Sequence, residues 1–228
     1  MTPKICVSIL PETVTEALNL IEKIETHKAD FIEVRLDRFE DHDKLAEITK
    51  HSKTPLIATS RSMNCQGKFV GSETQRQQIL LNAAKNGFEY VDIELTASKL
   101  KDVVKNLRQI NVKPIISFHD FDGTPNLTKL QEVLEKEIVS GAEVCKIITT
   151  ANRVEDNITT LNFVSKASKN AKIVCFSMGE LGKPSRLLSP LFGAFFTIAS
   201  LQRGKETAKG QLTLQEMRKL YQALRRME

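Results

Sequence analysis

The chain is expected to fold as a single α/β domain, a (β/α)8 TIM barrel of eight strand–helix units. Three observations predict this. Short apolar runs alternate with longer amphipathic stretches along all 228 residues, the pattern of a parallel sheet joined by crossover helices. The strand-like runs number eight, in a length that suits a compact barrel. No GxGxxG follows the first run, so the main signal of a doubly wound open sheet is missing.

In chain order the strand runs are Ile5–Leu10, Phe31–Leu36, Leu56–Thr59, Tyr90–Leu95, Pro114–Phe118, Val144–Ile148, Ile173–Phe176 and Ala194–Ala199. The intervening helices show their own period. Val14, Ala17, Leu18 and Ile21 recur at helical spacing, as do Leu100, Val103, Val104, Leu107 and Ile110, and then Met217, Leu220, Tyr221 and Leu224. Thr213 is placed to cap the last helix, with Glu216 three residues on as its capping-box partner. The seventh helix, around Ser185–Leu191, is the least regular, because Pro190 must end or interrupt it. Just before it, Gly179–Ser185 fails the phosphate-loop spacing, since Pro184 follows the lysine where Ser or Thr is required. That segment is expected to be a mobile loop carrying Arg186. No linker or shift in composition marks a boundary, so one domain spanning residues 1–228 is expected.

Bulk properties exclude several function classes. Apolar residues make up 41% and charged residues 27%, an ordinary globular balance. No apolar stretch approaches the roughly 20 residues of a membrane span, and no secretion signal opens the chain. A cytoplasmic location is expected, and no membrane partner. Net charge is +5 and the pI about 9.0. The basic residues are interleaved with acidic ones, there is no Trp and no basic tail, so a nucleic-acid partner is not expected. An anionic small substrate fits the charge. Cys6, Cys65, Cys145 and Cys175 form no CxxC pair, and the four histidines no HxxxH pair, so neither a disulfide framework nor a metal site is expected.

Lys146 carries the strongest chemical signal. It stands inside the apolar run Val144, Cys145, Ile147, Ile148, where an unpaired ammonium is paired or loses its charge. If its pKa is lowered, the lysine is partly a free amine, able to attack a carbonyl and form a Schiff base. The preceding run, Ile115 to Phe118, ends on His119 and Asp120. A strand-end histidine beside a strand lysine suggests a proton shuttle and a nucleophile in one barrel mouth, where barrel chemistry sits. Other strands bring polar groups to the same end. Glu33, Arg35 and Asp37 share one face of the second strand, and Asp92 and Glu94 one face of the fourth. Thr59 and Arg61 end the third, Ser177 and Met178 lead to Arg186 after the seventh, and Thr207, Gly210 and Gln211 follow the eighth. Any one of these could be a structural ion pair. Together they are hard to explain by stability, to which buried charges contribute poorly.

These pieces resemble type I 3-dehydroquinate dehydratase, the Schiff-base-forming dehydratase family of the shikimate pathway. The matching segments are Glu33-Val34-Arg35-Leu36-Asp37, Thr59-Ser60-Arg61, Ser117-Phe118-His119-Asp120-Phe121, Lys146, Ser177-Met178-Gly179 with Ser185-Arg186, and Gly210-Gln211, in the family's order across nearly the whole chain. The resemblance implies that Lys146 forms an imine with the ketone of 3-dehydroquinate. His119 then serves as general base and acid in a syn elimination of water. It implies that Arg186 and Gln211, with Thr207, hold the substrate carboxylate, that Glu33, Arg35 and Arg61 fix ring hydroxyls, that Ser8 lines the pocket and that Met178 packs on the ring. It implies no cofactor and a homodimer.

Two departures stand out. Family members usually place a glutamate about four residues beyond the third-strand arginine, where it orients the histidine. Here Cys65 holds that spacing and Gln66 precedes the glycine. Gln66, Asp92 and Glu94 are the candidates to support His119 instead. Thr207 stands where a serine is common, a change that keeps the hydroxyl. A class I aldolase is the rival enzyme, although a Gly-rich phosphate cradle is missing after the last strands. A barrel that binds without turnover is the non-enzymatic rival. No dinucleotide domain is expected after the last helix.

Overall fold

The computed structural model describes residues 2–225. Eight parallel strands run β1 (Ile5–Ile9), β2 (Phe31–Arg35), β3 (Leu56–Thr59), β4 (Tyr90–Glu94), β5 (Lys113–His119), β6 (Val144–Thr150), β7 (Ile173–Met178) and β8 (Thr197–Ala199). Helices follow each: α1 (Val14–Thr26), α2 (Leu45–His51), α3 (Glu73–Lys85), α4 (Leu100–Gln109), α5 (Leu127–Val139), α6 (Asp156–Ala167), α7 (Lys183–Leu188) and α8 (Leu214–Arg225). The sheet is ordered β7-β6-β5-β4-β3-β2-β1-β8. The Phe195 N–H donates to the Ile173 carbonyl at 2.7 Å and brings the last two strands together. The architecture is the expected (β/α)8 barrel.

Strand alternation divides the core in two. Outward-facing Val7, Ile32, Val34, Val91, Ile93, Ile116, Cys145, Ile147 and Cys175 pack under the helices. Inward-facing residues change character along the barrel axis. Phe31, Ile57, Tyr90, Ile115, Val144, Val174 and Phe196 fill the N-terminal end with an apolar plug. Two residues further along β2 to β6 come Glu33, Thr59, Asp92, Ser117 and Lys146, all buried, while β7 and β8 stay apolar with Phe176 and Ile198. This explains why Lys146 sits in an apolar run: its sequence neighbours face the helices while it faces the barrel axis.

Helix ends follow their local chemistry. Glu216 accepts from the Thr213 backbone N–H at 2.9 Å, and Thr213 Oγ1 accepts from the Glu216 N–H at 3.2 Å, the expected capping box. The Pro190 region ends α7 early and continues as a 3-10 turn over Ser189–Phe192. The segment expected as a mobile loop is tied down instead. Asn157 donates to the Leu181 carbonyl at 2.8 Å and accepts from the Ser185 N–H at 2.9 Å, and Ser185 Oγ accepts from the Ser177 N–H at 3.0 Å. Lys183–Leu188 is already helix, so Arg186 is carried by a helical turn. Beside it, Gly210 lies at φ +77°, and a Cβ there would meet the Gly179 carbonyl oxygen at 2.2 Å, so only glycine fits this approach of two loops.

One buried acid has no role in the barrel interior. Glu137 of α5 is fully buried in the apolar layer behind β6, and neither carboxyl oxygen has a well-formed hydrogen bond among the described residues. Burial pushes its pKa well above the usual carboxylate range, and the negative Asp92 adds to this, while the Cys145 thiol and Lys146 N–H counter it weakly. A raised folded pKa means the native state keeps a proton that the unfolded chain releases, so stability falls as pH rises above about 4.5, the ordinary carboxyl value. Glu137→Met is expected to leave stability near wild type at pH 4. The gain should grow with pH above 4.5, by at most about 1.4 kcal/mol per pH unit, the limiting linkage slope for one proton. Denaturant melts across that range check it, and a gain that does not vary with pH would show that Glu137 is charged in the native state.

Candidate active site

The C-terminal mouth of the barrel opens into one cavity lined by ten of the residues singled out in the sequence. These are Glu33, Arg35, Arg61, Gln66, His119, Lys146, Met178, Arg186, Thr207 and Gln211. Cys65, Phe121, Ile148, Phe176, Ile198 and Lys209 also line it. Ile148, Phe176 and Ile198 were legible in principle, since each lies two residues along a strand from an inward-facing neighbour. Lys209, on an irregular loop, carried no such signal.

Lys146 is held between two carboxylates. Its Nζ donates to Asp92 Oδ2 at 2.7 Å and to Glu33 Oε1 at 3.2 Å. Burial alone would push the amine down, but Asp92 and Glu33 outweigh it and hold the lysine above its ordinary value. Of the two ways open to a buried lysine, pairing is the one found here: the desolvated amine has two counter-ions, and it rests as an ammonium. The carboxylates respond in kind. Burial pushes Glu33 up, yet Lys146, Arg35 and Arg61 together hold it down at about 2. Asp92 is likewise raised by burial and held below its ordinary range by Arg61 and Lys146.

Supporting contacts fix this arrangement. Ser8 does not line the cavity as expected; it lies beneath it and donates to Glu33 Oε2 at 2.5 Å. Thr59 donates to Glu33 Oε1 at 2.9 Å, which leaves that carboxylate fully oriented. Arg61 donates to Asp92 Oδ1 and to Ser117 Oγ, both at 2.8 Å. Arg35 forks onto Asp37 at 2.7 and 2.8 Å. Asp37 also accepts the Lys68 N–H at 2.9 Å, so it ties the cavity arginine to the loop bearing Cys65 and Gln66.

His119 ends β5 on the strand beside Lys146, with Ser117 opposite the lysine in the register. Its ring stacks on Phe121 at 5.7 Å, and Nδ1 has no hydrogen-bond partner among the described residues. Burial pushes its pKa well below the ordinary 6.5, and the positive Arg61 and Lys146 push it further. The ring rests neutral and can take up a proton. Of the three candidates to support it, Asp92 and Glu94 bond other partners. Asp92 is committed to Lys146, Arg61 and Ser117. Glu94 is committed to Arg61, Arg76 and the Ser62 N–H. Gln66 lines the cavity from a left-handed backbone position at φ 55°, without a hydrogen bond to the ring.

Across the cavity Arg186 is 1% exposed and has no acidic partner among the described residues. Its guanidinium lies 4.1 Å over the Phe176 ring and reaches the Ile198 and Lys209 carbonyls at 3.3 Å, with Nε unpartnered. Burial pushes it down to about 9, so it remains charged at neutral pH. A buried cation lacking a counter-ion is a receptor for an anion, and its planar fork suits a carboxylate. Beside it Gln211 and Thr207 bond each other, Oε1 accepting from the Thr207 N–H at 2.9 Å and Nε2 donating to Oγ1 at 3.0 Å. The site thus joins a charged lysine, a neutral histidine and an uncompensated arginine. No group of His, Cys, Asp and Glu among the described residues could hold a metal ion.

Comparison with known proteins places this cavity in context. The family model for type I 3-dehydroquinase matches residues 5–228. A 3-dehydroquinate dehydratase of Methanococcus maripaludis is 35% identical over 218 residues, 95% of this chain and 97% of that protein. One from Dehalococcoides mccartyi is 36% identical over 222 residues, 97% of this chain and 96% of that protein. The crystal structure of the type I 3-dehydroquinate dehydratase of Clostridium difficile with covalently modified comenic acid superposes with a TM-score of 0.89. It shares 25% identity over 99% of this chain and 93% of that one. With its barrel and matched length, the chain belongs to the type I 3-dehydroquinase family, whose members are lyases that dehydrate 3-dehydroquinate.

Proposed function

We propose that the dehydration of 3-dehydroquinate to 3-dehydroshikimate runs through an imine on Lys146, with His119 moving the protons. The observation that carries this reading is the lysine clamped by Asp92 and Glu33 one strand from a neutral histidine. The substrate carboxylate pairs with Arg186, beside Gln211 and Thr207. Glu33, Arg35 and Arg61 meet the ring hydroxyls, and Met178 packs on the ring.

The charge states dictate the order of events. Lys146 begins as an ammonium and must lose a proton to attack the ketone. Asp92 and Glu33 are too acidic to keep that proton, so neutral His119 takes it. Nitrogen bonds to the carbonyl carbon, the oxygen leaves as water after protonation, and the iminium inherits the lysine's place between the two carboxylates. Their field, unfavourable to the free amine, is matched to this cation, which is the species every later step uses. The iminium draws electrons from the neighbouring C–H bond. His119, again neutral, removes that proton and gives it to the departing hydroxyl, which leaves as water from the same face. Water then hydrolyses the conjugated iminium and frees Lys146. The imine is itself the electron sink, so the chemistry calls for no added cofactor.

Three outcomes are expected. Borohydride added with 3-dehydroquinate should leave a covalent adduct on wild type, seen by intact mass, and none on Lys146→Ala. An adduct on both, or on neither while turnover persists, would remove Lys146 from the chemistry. Secondly, kcat/KM should be flat across neutral pH. Its acidic limb should lie below 6.5, where the lowered His119 charges, and its alkaline limb above 10.5, where Lys146 loses its proton. An acidic limb at pH 7 or higher would contradict a histidine neutral at rest. Thirdly, a homodimer in the cytoplasm accompanies this reading. Val154, Ile158 and Leu181 form an exposed apolar patch around the start of α6 that could serve a dimer contact. Sedimentation should give a dimer that Ile158→Lys weakens at least tenfold; an unaltered dimer would place the contact elsewhere.

A further inference from the structure

We propose that Arg76, a helix residue outside the cavity, is a positioning residue for this reaction: by clamping Glu94 it keeps Arg61 on Asp92, and so sets how much of Asp92 is left for Lys146. The inference rests on the imine reading of the site.

The geometry is a chain of alternating charges running inward from α3. Arg76 is 2% exposed, although it sits on a surface helix, and it does not line the cavity. Glu73, one turn earlier, receives Nε and Nη2 at 2.8 and 2.7 Å, and the Ser60 carbonyl receives Nη1 at 2.7 Å. Nη1 also bonds Glu94 Oε2. Held on three sides, the guanidinium cannot follow Glu94 elsewhere. The other Glu94 oxygen takes the Ser62 N–H and lies 3.2 Å from Arg61 Nη1. Arg61 in turn reaches Asp92 Oδ1, and Asp92 Oδ2 reaches Lys146. Along this path Glu33, Asp37, Asp92 and Glu94 pair with Lys146, Arg35, Arg61 and Arg76, and the half-buried Glu73 adds a fifth carboxylate at its outer end.

Removing the Arg76 charge leaves Glu94 with Arg61 as its one cation. Arg61 is drawn toward Glu94 and away from Asp92, and the cluster gains a net negative charge. Lys146 then holds its proton more tightly and attacks more slowly. The lysine is faced by Cys6 from β1, Glu33 and Arg35 from β2, Arg61 from beyond β3, Asp92 from β4 and His119 from β5, with Glu137 behind it on α5. Of these, Asp92 is the one that accepts a hydrogen bond from Arg61, although Glu33 and His119 also lie in the field of Arg61. The Arg61–Asp92 bond is therefore the bonded link from Arg76 to the lysine.

The test reads the lysine's free-amine fraction without using the dehydratase reaction. Cyanate carbamylates only neutral amines, and peptide mass spectrometry can follow Lys146 alone over pH 7–9. In Arg76→Met the rate at each pH should fall about tenfold, the equivalent of a shift of about one unit. Arg76→Lys should restore most of it by returning the charge. Arg76→Met/Glu94→Gln should also restore it, because removing Glu94's charge frees Arg61 for Asp92. With 3-dehydroquinate, kcat/KM of Arg76→Met should fall by a similar factor and KM change less than kcat. A wild-type carbamylation rate in folded Arg76→Met would overturn the proposal, whether Glu94 had taken up a proton or the link did not exist. So would a loss in the double variant as large as in the single one. Slow carbamylation with no turnover in any protein, wild type included, would instead count against the imine reading.

Discussion

The clamp of Asp92 and Glu33 on Lys146 organises the interior of this barrel. A buried ammonium with two carboxylates 2.7 and 3.2 Å away is an arrangement that stability alone does not favour. Apolar side chains of similar volume would stabilise the fold at least as well, whereas removing one partner from such a group costs about 3–5 kcal/mol. Everything around the clamp serves to keep it complete. Ser8 and Thr59 orient Glu33, Ser117 and Arg61 orient Asp92, and Asp37 occupies the fork of Arg35. The same field that holds the resting lysine as an ammonium suits a cation at that point, and the neutral His119 stands on the neighbouring strand.

Much of this was legible in the sequence, for identifiable reasons. Period-2 alternation put Glu33 with Arg35 and Asp92 with Glu94 on one shared face, and strand ends marked His119 and Arg61. The barrel followed from the count and spacing of apolar runs. Other features were not legible. Ser8 could be assigned to the first strand's inner face but not to a layer below the cavity, because depth along the axis depends on strand stagger. Whether Lys146 is paired or discharged was not legible because its neighbours in sequence face the helices, while its true neighbours, Asp92 and Glu33, lie 54 and 113 residues away. Arg76 belongs to a helix whose polar pattern suggests a solvated surface, and nothing local shows that it turns inward onto Glu94.

No carboxylate bonds the His119 Nδ1 among the described residues, and the pull of Asp92 toward the charged ring is outweighed by burial, Arg61 and Lys146. The His119 ring is stacked on Phe121 and surrounded by Arg61 and Lys146, both positive. A proton placed on this ring is held weakly and passed on readily. The arrangement favours the donating half of each transfer over the accepting half, the reverse of what a carboxylate-backed histidine would do.

The contact of Gly210 on the Gly179 carbonyl makes the seventh and eighth strand loops a single seam. Gly179 N–H donates to the Lys209 carbonyl at 3.3 Å, and that carbonyl also receives Arg186. Arg186, Gln211 and Met178 therefore share one backbone anchor. A sequence drifting toward a different acid cannot retune these contacts one at a time. Changes in either loop must arrive in compensating pairs, which makes this corner of the barrel the slowest part of the pocket to diversify.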